Sequence, residues 1–353
     1  MITLNELYWV LGEQRHGPLE RYFAKALIKA GKKVSYINIH DTYPDYILKL
    51  SGYFHRFPRK LNNAADKKYL NYINTIIVKK FKEEKPSNII IYNDCRILPG
   101  TLEFFKNNGS KITVLLGDDP NYYIHGKKYF LFTVMHADSV ITTDTGWIDG
   151  LKLVGIKNII YSPLGTDPET FFPMTSSEAD RKKYGCDVLF VGKGYYLNGN
   201  GIRRATILNE LTDFNMKIFG GSDWKDLFYH FPNLKKHHVP GWLAADKVNV
   251  ACNCAKLYPV LMQAGVRNGV STRVYDCTAS GIFILSEYKK DIETLFPNGE
   301  IIMFKSKYEL KNLVGYYLKH EDEMKDHVNK ARELVLSKYT IEQSVKEILN
   351  QIE

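Results

Sequence analysis

The sequence predicts an α/β protein with two parallel-sheet domains of similar size. Short β-branched and aromatic runs alternate with longer amphipathic segments along the whole chain, as in stacked βα units. This alternation stops once, at residues 164–185, where prolines, Ser/Thr residues and charges follow no period. The 353 residues suffice for two hydrophobic cores. We therefore predict a first domain over 1–165, a linker over 166–185, a second domain over 186–335, and a C-terminal helix over 336–353 that can pack back on the first domain.

Six apolar runs predict the strands of the first domain. Between the first two runs, Pro18 opens an amphipathic helix and Gly31 ends it, so this part of the chain forms a complete βαβ unit. The six predicted strands cover residues 6–12, 33–39, 87–93, 111–117, 138–143 and 157–163.

A second series of βα units follows the break. Its predicted strands cover 186–192, 215–221, 236–241, 281–287 and 300–304, and its helical patterns cover 202–211, 272–279, 309–319 and about 321–352. Open parallel sheets bind ligands beyond the carboxyl ends of their strands, which predicts a binding cleft between the two sheets. Dehydrogenases, epimerases, binding proteins and glycosyltransferases share this architecture, so the residues at the cleft must decide the function.

The charge balance favours partners that carry phosphate. Lysine and arginine number 48 against 39 acidic residues, giving a net charge of +9 and a pI near 9.0. Nucleotides, nucleic acids and anionic lipids fit this balance, and a merely solvated lysine-rich surface is the alternative. Residues 53–85 mix basic and aromatic side chains in the same way, although an amphipathic helix also explains them.

The cysteines and the chain termini predict a cytoplasmic protein. An odd number of scattered cysteines makes neither a disulfide framework nor a zinc site with four ligands, so a reducing compartment is expected. The N-terminus has no export signal, and no run of eighteen apolar residues predicts a transmembrane segment. The cysteines are Cys95, Cys186, Cys252, Cys254 and Cys277.

A glycine-rich loop after the strand at 186–192 is a candidate phosphate site. Gly192 and Gly194 let backbone N–H groups approach a phosphate, and the helix that follows presents its positive N-terminal end. Arg203 near the start of this helix opposes the helix dipole, which favours a bound anion. The spacing is not a dinucleotide fingerprint, and a plain glycine turn is the alternative.

A second constellation predicts a nucleoside diphosphate. Ser271 can cap a helix in which Arg273 and Asp276 lie three residues apart on one face, and Gly281 ends that helix. A guanidinium suits a pyrophosphate, and a carboxylate accepts hydrogen bonds from both ribose hydroxyls. A surface ion pair is the alternative.

Residues 188–319 resemble the donor domain of GT-B glycosyltransferases, in particular the CgeB-like (spore-maturation-type) group. The resemblance is carried by the VLFVG strand, the glycine loop, the arginine-led helix and the segment STRVYDCTASG, with DDP at 118–120 and SPLGTDPETFFP at 162–173. It implies two Rossmann-like domains facing a central cleft. It also implies that Arg203 and Arg273 bind the donor pyrophosphate, that Asp276 holds the ribose, and that the backbone near Leu243 receives the base of a UDP-linked donor.

The layout is also similar to a phage DNA β-glucosyltransferase. This likeness points to Asp118 as the catalytic base, because a carboxylate at the carboxyl end of a strand can accept the proton of an acceptor hydroxyl. Its neighbour Asp119 and the loop residue His16 are candidate contacts to the acceptor or donor. A simple turn at 118–121 is the alternative interpretation.

Together these features predict a metal-independent glycosyltransferase with a nucleotide sugar as co-substrate and no further cofactor. The chain has no Asp-x-Asp triplet, and the two arginines with the Ser271 helix end would stabilise the leaving diphosphate. The acceptor can be a glycan, a protein or a DNA base, so a nucleic-acid partner stays open. The alternatives are a phage-type DNA glucosyltransferase acting on hydroxymethylated bases, an epimerase of the same fold, and a non-catalytic nucleotide-sugar-binding or coat protein.

Overall fold

The structure, a computed structural model, describes residues 5–12, 19–38, 59–93, 96–120 and 129–353. The chain forms two compact units, one of Met1–Ser162 with Val345–Glu353 and the other of Pro163–Ser344. The segment predicted as a linker, 166–185, falls within the second of these units, to which it is hydrogen-bonded. The amides of Phe172 and Met174 donate to the side chains of Asn249 and Asn253 at 3.1 and 2.7 Å.

The first unit contains a six-stranded parallel sheet, and each of the six predicted strands forms. The strand order is β2-β1-β3-β4-β5-β6. The strands are β1 (Asn5–Gly12), β2 (Val34–Asn38), β3 (Pro86–Tyr92), β4 (Lys111–Leu115), β5 (Ser139–Thr142) and β6 (Ile159–Tyr161). The helices are α1 (Leu19–Lys29), α2 (Arg59–Glu84), α3 (Pro99–Asn107), α4 (Phe130–His136) and α5 (Ile148–Leu153).

Trp9 on β1 lies at the centre of this unit's core. Its ring meets Phe81 of α2 and Phe105 of α3 edge to face, with centroids 5.9 and 6.1 Å away. The indole N–H is also paired, since it donates to Glu84 Oε2 at 2.7 Å. Burial of the aromatic rings and pairing of the polar atom together hold α2 and α3 on one face of the sheet.

The second unit contains another six-stranded parallel sheet, in the order β12-β11-β10-β7-β8-β9. Its strands are β7 (Cys186–Val191), β8 (Met216–Gly220), β9 (His238–Pro240), β10 (Ala255–Val260), β11 (Phe283–Glu287) and β12 (Ile302–Phe304). Its helices are α6 (Glu178–Tyr184), α7 (Gly199–Asn209), α8 (Ala245–Cys252), α9 (Thr272–Ser280), α10 (Lys290–Leu295), α11 (Lys307–Tyr317) and α12 (Glu321–Lys338), and α13 (Ile341–Ile352) follows.

Strand β10 is absent from the sequence prediction, although it is central in the sheet. Pro259 interrupts its apolar run, and a proline argues against a central strand. The structure accommodates this proline because β7 pairs with β10 at Ala255 and Leu257, before Pro259 is reached. Beyond these pairs, the Tyr258 hydroxyl takes the place of backbone hydrogen bonds between β10 and β7. It accepts from the Val191 N–H at 3.1 Å and donates to the Val191 carbonyl at 2.8 Å.

The C-terminal segment was predicted to be helical over about 321–352, with a C-terminal helix from 336, and it forms two helices with the break at residues 339–340. Thr340 and Gln343 form a capping box, in which the Thr340 hydroxyl accepts from the Gln343 amide and the Gln343 side chain accepts from the Thr340 amide. This motif starts α13 at Ile341. Among the described helices, none is long and apolar enough to cross a membrane.

Candidate functional site

The glycine loop, residues 192–198, follows β7 at the carboxyl edge of the second sheet. Tyr195 and Tyr196 have left-handed backbones, with φ of 62° and 54°. Side chains fit poorly at the glycines, since a Cβ on Gly194 would lie 2.8 Å from the Trp224 backbone and one on Gly201 would overlap the Tyr196 carbonyl oxygen. Such a strained backbone persists only where its surroundings hold it, and strain of this kind clusters at functional sites.

Contacts from neighbouring elements hold this loop in one conformation. The Tyr195 amide donates to Asp223 Oδ2 at 2.8 Å, and Trp224 Nε1 donates to the Gly192 carbonyl at 2.9 Å. Arg204 donates to the Lys193 carbonyl at 2.5 Å and lies over the Tyr195 ring, with 4.8 Å to its centroid. Burial lowers the pKa of Arg204. This buried arginine therefore supports the loop, a role that the sequence analysis did not assign to it.

Replacing Gly201 should distort the loop, whereas replacing nearby Gly199 should not. We expect Gly201→Ala to cost about 2–3 kcal/mol of unfolding free energy, because the new methyl group overlaps backbone atoms. A Cβ on Gly199 meets nothing within 4 Å, so Gly199→Ala should be neutral or up to about 1 kcal/mol stabilising through helix propensity. Urea denaturation of both variants measures this difference, and equal stabilities would contradict the assigned loop packing.

Arg203 lies one residue before Arg204 and contacts the end of β10 and β11. Its Nη1 donates to the Met262 carbonyl at 3.2 Å, and its Nη2 forms an ion pair with Glu287. Glu287 also accepts from the Met262 amide at 3.1 Å. The Arg203 side chain remains 41% exposed, so it keeps donors for a ligand while it holds this backbone.

Lys193 is a cation of this loop that the sequence analysis missed. It stands between Gly192 and Gly194 and is partly exposed. Among the described residues, no carboxylate lies within ion-pair distance of its ammonium group. The sequence signal for Lys193 was its place inside the VGKG motif. A positive charge between two glycines at a strand end can bind an anion together with the backbone N–H groups there.

Helix α9 brings Ser271, Arg273 and Asp276 together near its N-terminal end. The Ser271 hydroxyl accepts from the Arg273 amide at 3.3 Å, and the helix ends at Gly281 with φ of 83°. Arg273 Nη1 lies 3.6 Å from Asp276 Oδ2. The Thr166 hydroxyl donates to Asp276 Oδ1 at 2.9 Å. The predicted guanidinium and carboxylate therefore share one face and lie beside each other.

Asp276 is 7% exposed, and burial raises the pKa of its carboxyl to about 7, although Arg273 and the Thr166 hydroxyl lower it. An unfolded aspartate has a pKa of about 4. The native state therefore keeps a proton between about pH 4 and pH 7 that the unfolded chain releases, so this group's contribution to stability declines as pH rises through that range.

Asp276→Asn should remove this pH dependence. As the pH rises from about 5 to about 8, the unfolding free energy of the variant should increase by about 3 kcal/mol relative to that of the parent chain. The reason is that this interval covers about two pH units in which only the native parent chain keeps the Asp276 proton. Denaturation at both pH values measures the change, with the exposed Asp322→Asn as the matched control. A parallel pH dependence in parent and Asp276→Asn would contradict an elevated native pKa.

An exposed aromatic ring lies near the ends of β8 and β9. Gly241 has φ of 129°, and Trp242 after it is 58% exposed while Leu243 is half-buried. The Trp242 ring lies against Gly221, where a Cβ would be 2.9 Å from the indole. An indole in this position offers a flat surface on which a nucleobase can stack.

In the first unit, Asp118 follows β4 and has a defined partner. Asn93, with φ of 47°, donates from Nδ2 to Asp118 Oδ2 at 2.6 Å. Burial, with the carboxylates of Glu20 and Asp118, raises the pKa of the Tyr92 hydroxyl. Asp119 is buried, and His16 lies outside the described residues. Within the described ranges, no three metal-binding side chains gather closely enough to hold a metal ion.

Comparison with known proteins gives a family match over part of the chain and a consistent fold over nearly all of it. Residues 203–350 match the family model described as glycosyl transferase-like. No protein of curated function matches the sequence significantly. The solved structures of similar fold include sucrose-phosphate synthase from Thermosynechococcus elongatus, at 12% identity over 98% of both chains with a TM-score of 0.68.

Two further structures show the same likeness. One is described as trehalose-6-phosphate from E. coli bound with UDP-2-fluoro glucose, at 10% identity over 98% of both chains with a TM-score of 0.64. The other is a glycosyltransferase from Rickettsia africae, at 12% identity over 98% of this chain and 96% of that one, with a TM-score of 0.63. The predicted GT-B fold of two parallel-sheet α/β domains is confirmed, and residues 203–350 are glycosyltransferase-like.

Proposed function

We propose that this protein transfers a sugar from a UDP-linked donor to a hydroxyl group of an acceptor. The observation that carries the proposal is the N-terminal end of α9, where a capped helix end, the Arg273 guanidinium and the Asp276 carboxylate come together. These groups suit the two polar parts of a nucleoside diphosphate, namely its phosphates and its ribose. This helix end lies inside the segment that matches the glycosyltransferase-like family.

Each part of the donor has a proposed partner in the second unit. The Ser271 helix end, Arg273, Arg203 and Lys193 would neutralise the diphosphate, and the backbone of Gly192 and Gly194 would approach it closely. Asp276 would accept hydrogen bonds from the ribose hydroxyls. The Leu243 backbone would hold the base, with Trp242 stacking on it. These cations make a bound metal or other cofactor unnecessary in the proposed mechanism.

Asp118 of the first unit is the proposed catalytic base. It would accept the proton of the acceptor hydroxyl as that oxygen attacks the anomeric carbon, while the bond from this carbon to the diphosphate breaks and UDP leaves. Its Oδ2 accepts a hydrogen bond from Asn93 Nδ2, which orients the carboxylate for this step. The acceptor remains open among glycans, proteins and DNA bases, and Asp119 and His16 are the candidate contacts to it.

Two finer assignments belong to the same proposal. The motifs at 118–120, 162–173 and 271–281 support the CgeB-like group within the GT-B enzymes. The four cysteines within the described ranges are free thiols, and they support a reducing, cytoplasmic location, because such cysteines persist where disulfides do not form. These are Cys186, Cys252, Cys254 and Cys277.

A thermal-shift panel of nucleotide sugars tests the function. UDP-linked sugars should raise the melting temperature in a concentration-dependent manner, because a ligand that binds only the native state stabilises it. Adenosine- and guanosine-linked sugars should have less effect, and EDTA should not change the result. Slow release of UDP with water as acceptor would separate an enzyme from a non-catalytic binding protein. A panel in which no nucleotide sugar raises the melting temperature would refute the proposal.

Lys193 and Arg203 should contribute unequally to binding of the diphosphate. We expect Lys193→Met to weaken UDP affinity about tenfold, because a charge-assisted contact is lost. Arg203→Met should weaken it less, because this guanidinium already pairs with Glu287. Calorimetry on both variants and on Glu287→Gln measures the difference. Glu287→Gln disturbs the same contacts at the Met262 backbone but leaves the Arg203 charge in place. If it weakens UDP binding as much as Arg203→Met does, Arg203 does not contact the diphosphate and only holds the Met262 backbone.

A further inference from the structure

Two segments of the second compact unit, each next to a point where the chain passes to the first unit, are hydrogen-bonded to each other. We name residues 163–166 the first crossing segment and residues 339–344 the second crossing segment. The Thr166 amide donates to the Tyr339 carbonyl at 3.0 Å, and the Ile341 amide donates to the Thr166 carbonyl at 2.9 Å. Both segments at this junction are therefore ordered by one another.

The first crossing segment has an unusual backbone that its partner maintains. Leu164 has φ of 62° and Gly165 has φ of 134°. A Cβ on Gly165 would overlap the Tyr339 carbonyl, so glycine permits the close approach of the two segments. The Ser344 hydroxyl also donates to the Leu164 carbonyl. The strained conformation is thus held by several independent contacts, as such conformations require.

The side chain of Thr166 connects this junction to the candidate donor site. Thr166 is fully buried, and both polar groups of its backbone are used by the second crossing segment. Its hydroxyl donates to Asp276 Oδ1 at 2.9 Å, across 110 residues of sequence. The carboxylate is consequently oriented from outside its own helix, by a residue that the second crossing segment holds in place.

We propose that Thr166 is a positioning residue that fixes the Asp276 carboxylate for the donor and ties donor binding to the two crossing segments. The proposal rests on the proposed role of Asp276 in binding the ribose. A carboxylate has about four lone-pair positions, so ribose hydroxyls can bind Asp276 without displacing the Thr166 hydroxyl. The hydroxyl donates to the ionised form, which is also the form that binds a diol more strongly.

Several ionisable groups surround Asp276, and two of them set its electrostatic environment. Burial raises the pKa of the Tyr258 hydroxyl and of the Cys277 thiol, so both stay neutral near pH 7. Arg273 and Asp167 are the charged neighbours, the first favouring and the second opposing an ionised Asp276. Groups on elements packed against α9 also include Cys252 of α8, which faces Cys277, Arg332 of α12, which donates to the Ala279 carbonyl, and His327 of α12, which lines a small cavity together with Thr278.

The test is the pH dependence of UDP-glucose binding, measured by calorimetry on the full chain between about pH 6 and pH 8.5. UDP-glucose is the probe because its diphosphate diester keeps a constant charge across this range. Affinity in the parent chain should rise with pH. Thr166→Val should weaken binding about tenfold near pH 7 and move the midpoint of the pH dependence upward, because a hydrogen bond to the charged form is lost.

Two control variants separate positioning from general loss of structure. Thr166→Ser keeps a hydroxyl and should restore affinity to within about threefold of the parent chain, with the original midpoint. Ser344→Ala removes a contact of the same junction without touching Asp276 and should leave the midpoint unchanged. An unchanged midpoint in Thr166→Val, or an equal shift in Ser344→Ala, would overturn the proposal.

Two further measurements keep the proposal testable even if Thr166→Val does not fold. In the parent chain, UDP-glucose should slow hydrogen exchange at the Thr166 and Ile341 amides, and unchanged exchange would overturn the coupling even if Thr166→Val does not fold. Asp276→Asn separates the role of Asp276 in donor binding from the role of Thr166. If Asp276→Asn binds UDP-glucose like the parent chain, the proposed donor site fails and the role of Thr166 with it. If only the Thr166 effects are absent, the donor site stands without this coupling.

Discussion

Arg273→Ala is expected to weaken UDP binding by about 2–3 kcal/mol, or roughly 30- to 150-fold, because a desolvated charge-assisted contact to the diphosphate is lost. The structure supports a large effect, since Arg273 is held at the capped end of α9 and lies beside Asp276. Arg273→Lys should retain part of the affinity, because an ammonium keeps the charge but not the planar pair of donors. Calorimetry with UDP measures both variants.

Arg332→Ala is the matched control for this substitution. Arg332 also contacts α9, but at the other end, where its Nε donates to the Ala279 carbonyl at 3.1 Å. Its removal lowers the net charge by the same amount and should leave UDP affinity within about twofold of the parent chain. Equal affinity of the Arg273→Ala protein and the parent chain would contradict the proposed diphosphate site.

Asp118→Asn is expected to reduce the rate of transfer by about 10²- to 10⁴-fold, the usual contribution of a general base. Donor affinity should not change, because the proposed donor-binding residues belong to the second compact unit and Asp118 belongs to the first. The measurement is UDP release from UDP-glucose with water as acceptor, together with the UDP-glucose affinity of the same protein preparation.

Asp119→Asn is the natural comparison, since it changes the adjacent carboxylate in the same way. Asp119 is buried, whereas Asp118 is partly exposed and accepts a hydrogen bond from Asn93. We expect Asp119→Asn to retain most of the transfer rate if it folds like the parent chain. Full activity of Asp118→Asn with loss of activity in a folded Asp119→Asn would assign the base to Asp119.

Much of the candidate site was predictable because its geometry is local. Arg273 and Asp276 share a face because residues three apart on a helix are neighbours, and Ser271 caps that helix because the residue before a helix supplies its first acceptor. The capping box of Thr340 and Gln343 could equally have been recognised in the sequence, although the predicted helical pattern over 321–352 placed no helix start there. Local rules therefore suffice wherever the partners lie within one turn.

Contacts over long sequence distances could not be predicted in this way. Arg203 meets Glu287 across 84 residues, and the Thr166 hydroxyl meets Asp276 across 110 residues. Arg203 and Arg204 are adjacent residues of the same type, yet Arg204 is buried under the glycine loop and Arg203 remains partly exposed. Nothing in a short window specifies which of two adjacent arginines points inward.

The amino-acid sequence by itself determined the α/β class, the strands of the first sheet and the residues at the start of α9, because hydrophobic periodicity and capping act over a few residues. Only the tertiary structure decided that β10 is a central strand despite Pro259, that Gly201 has no room for a side chain, and that Thr166 orients Asp276. These outcomes depend on segments that meet only when the chain is folded, since packing and buried hydrogen bonds are non-local interactions.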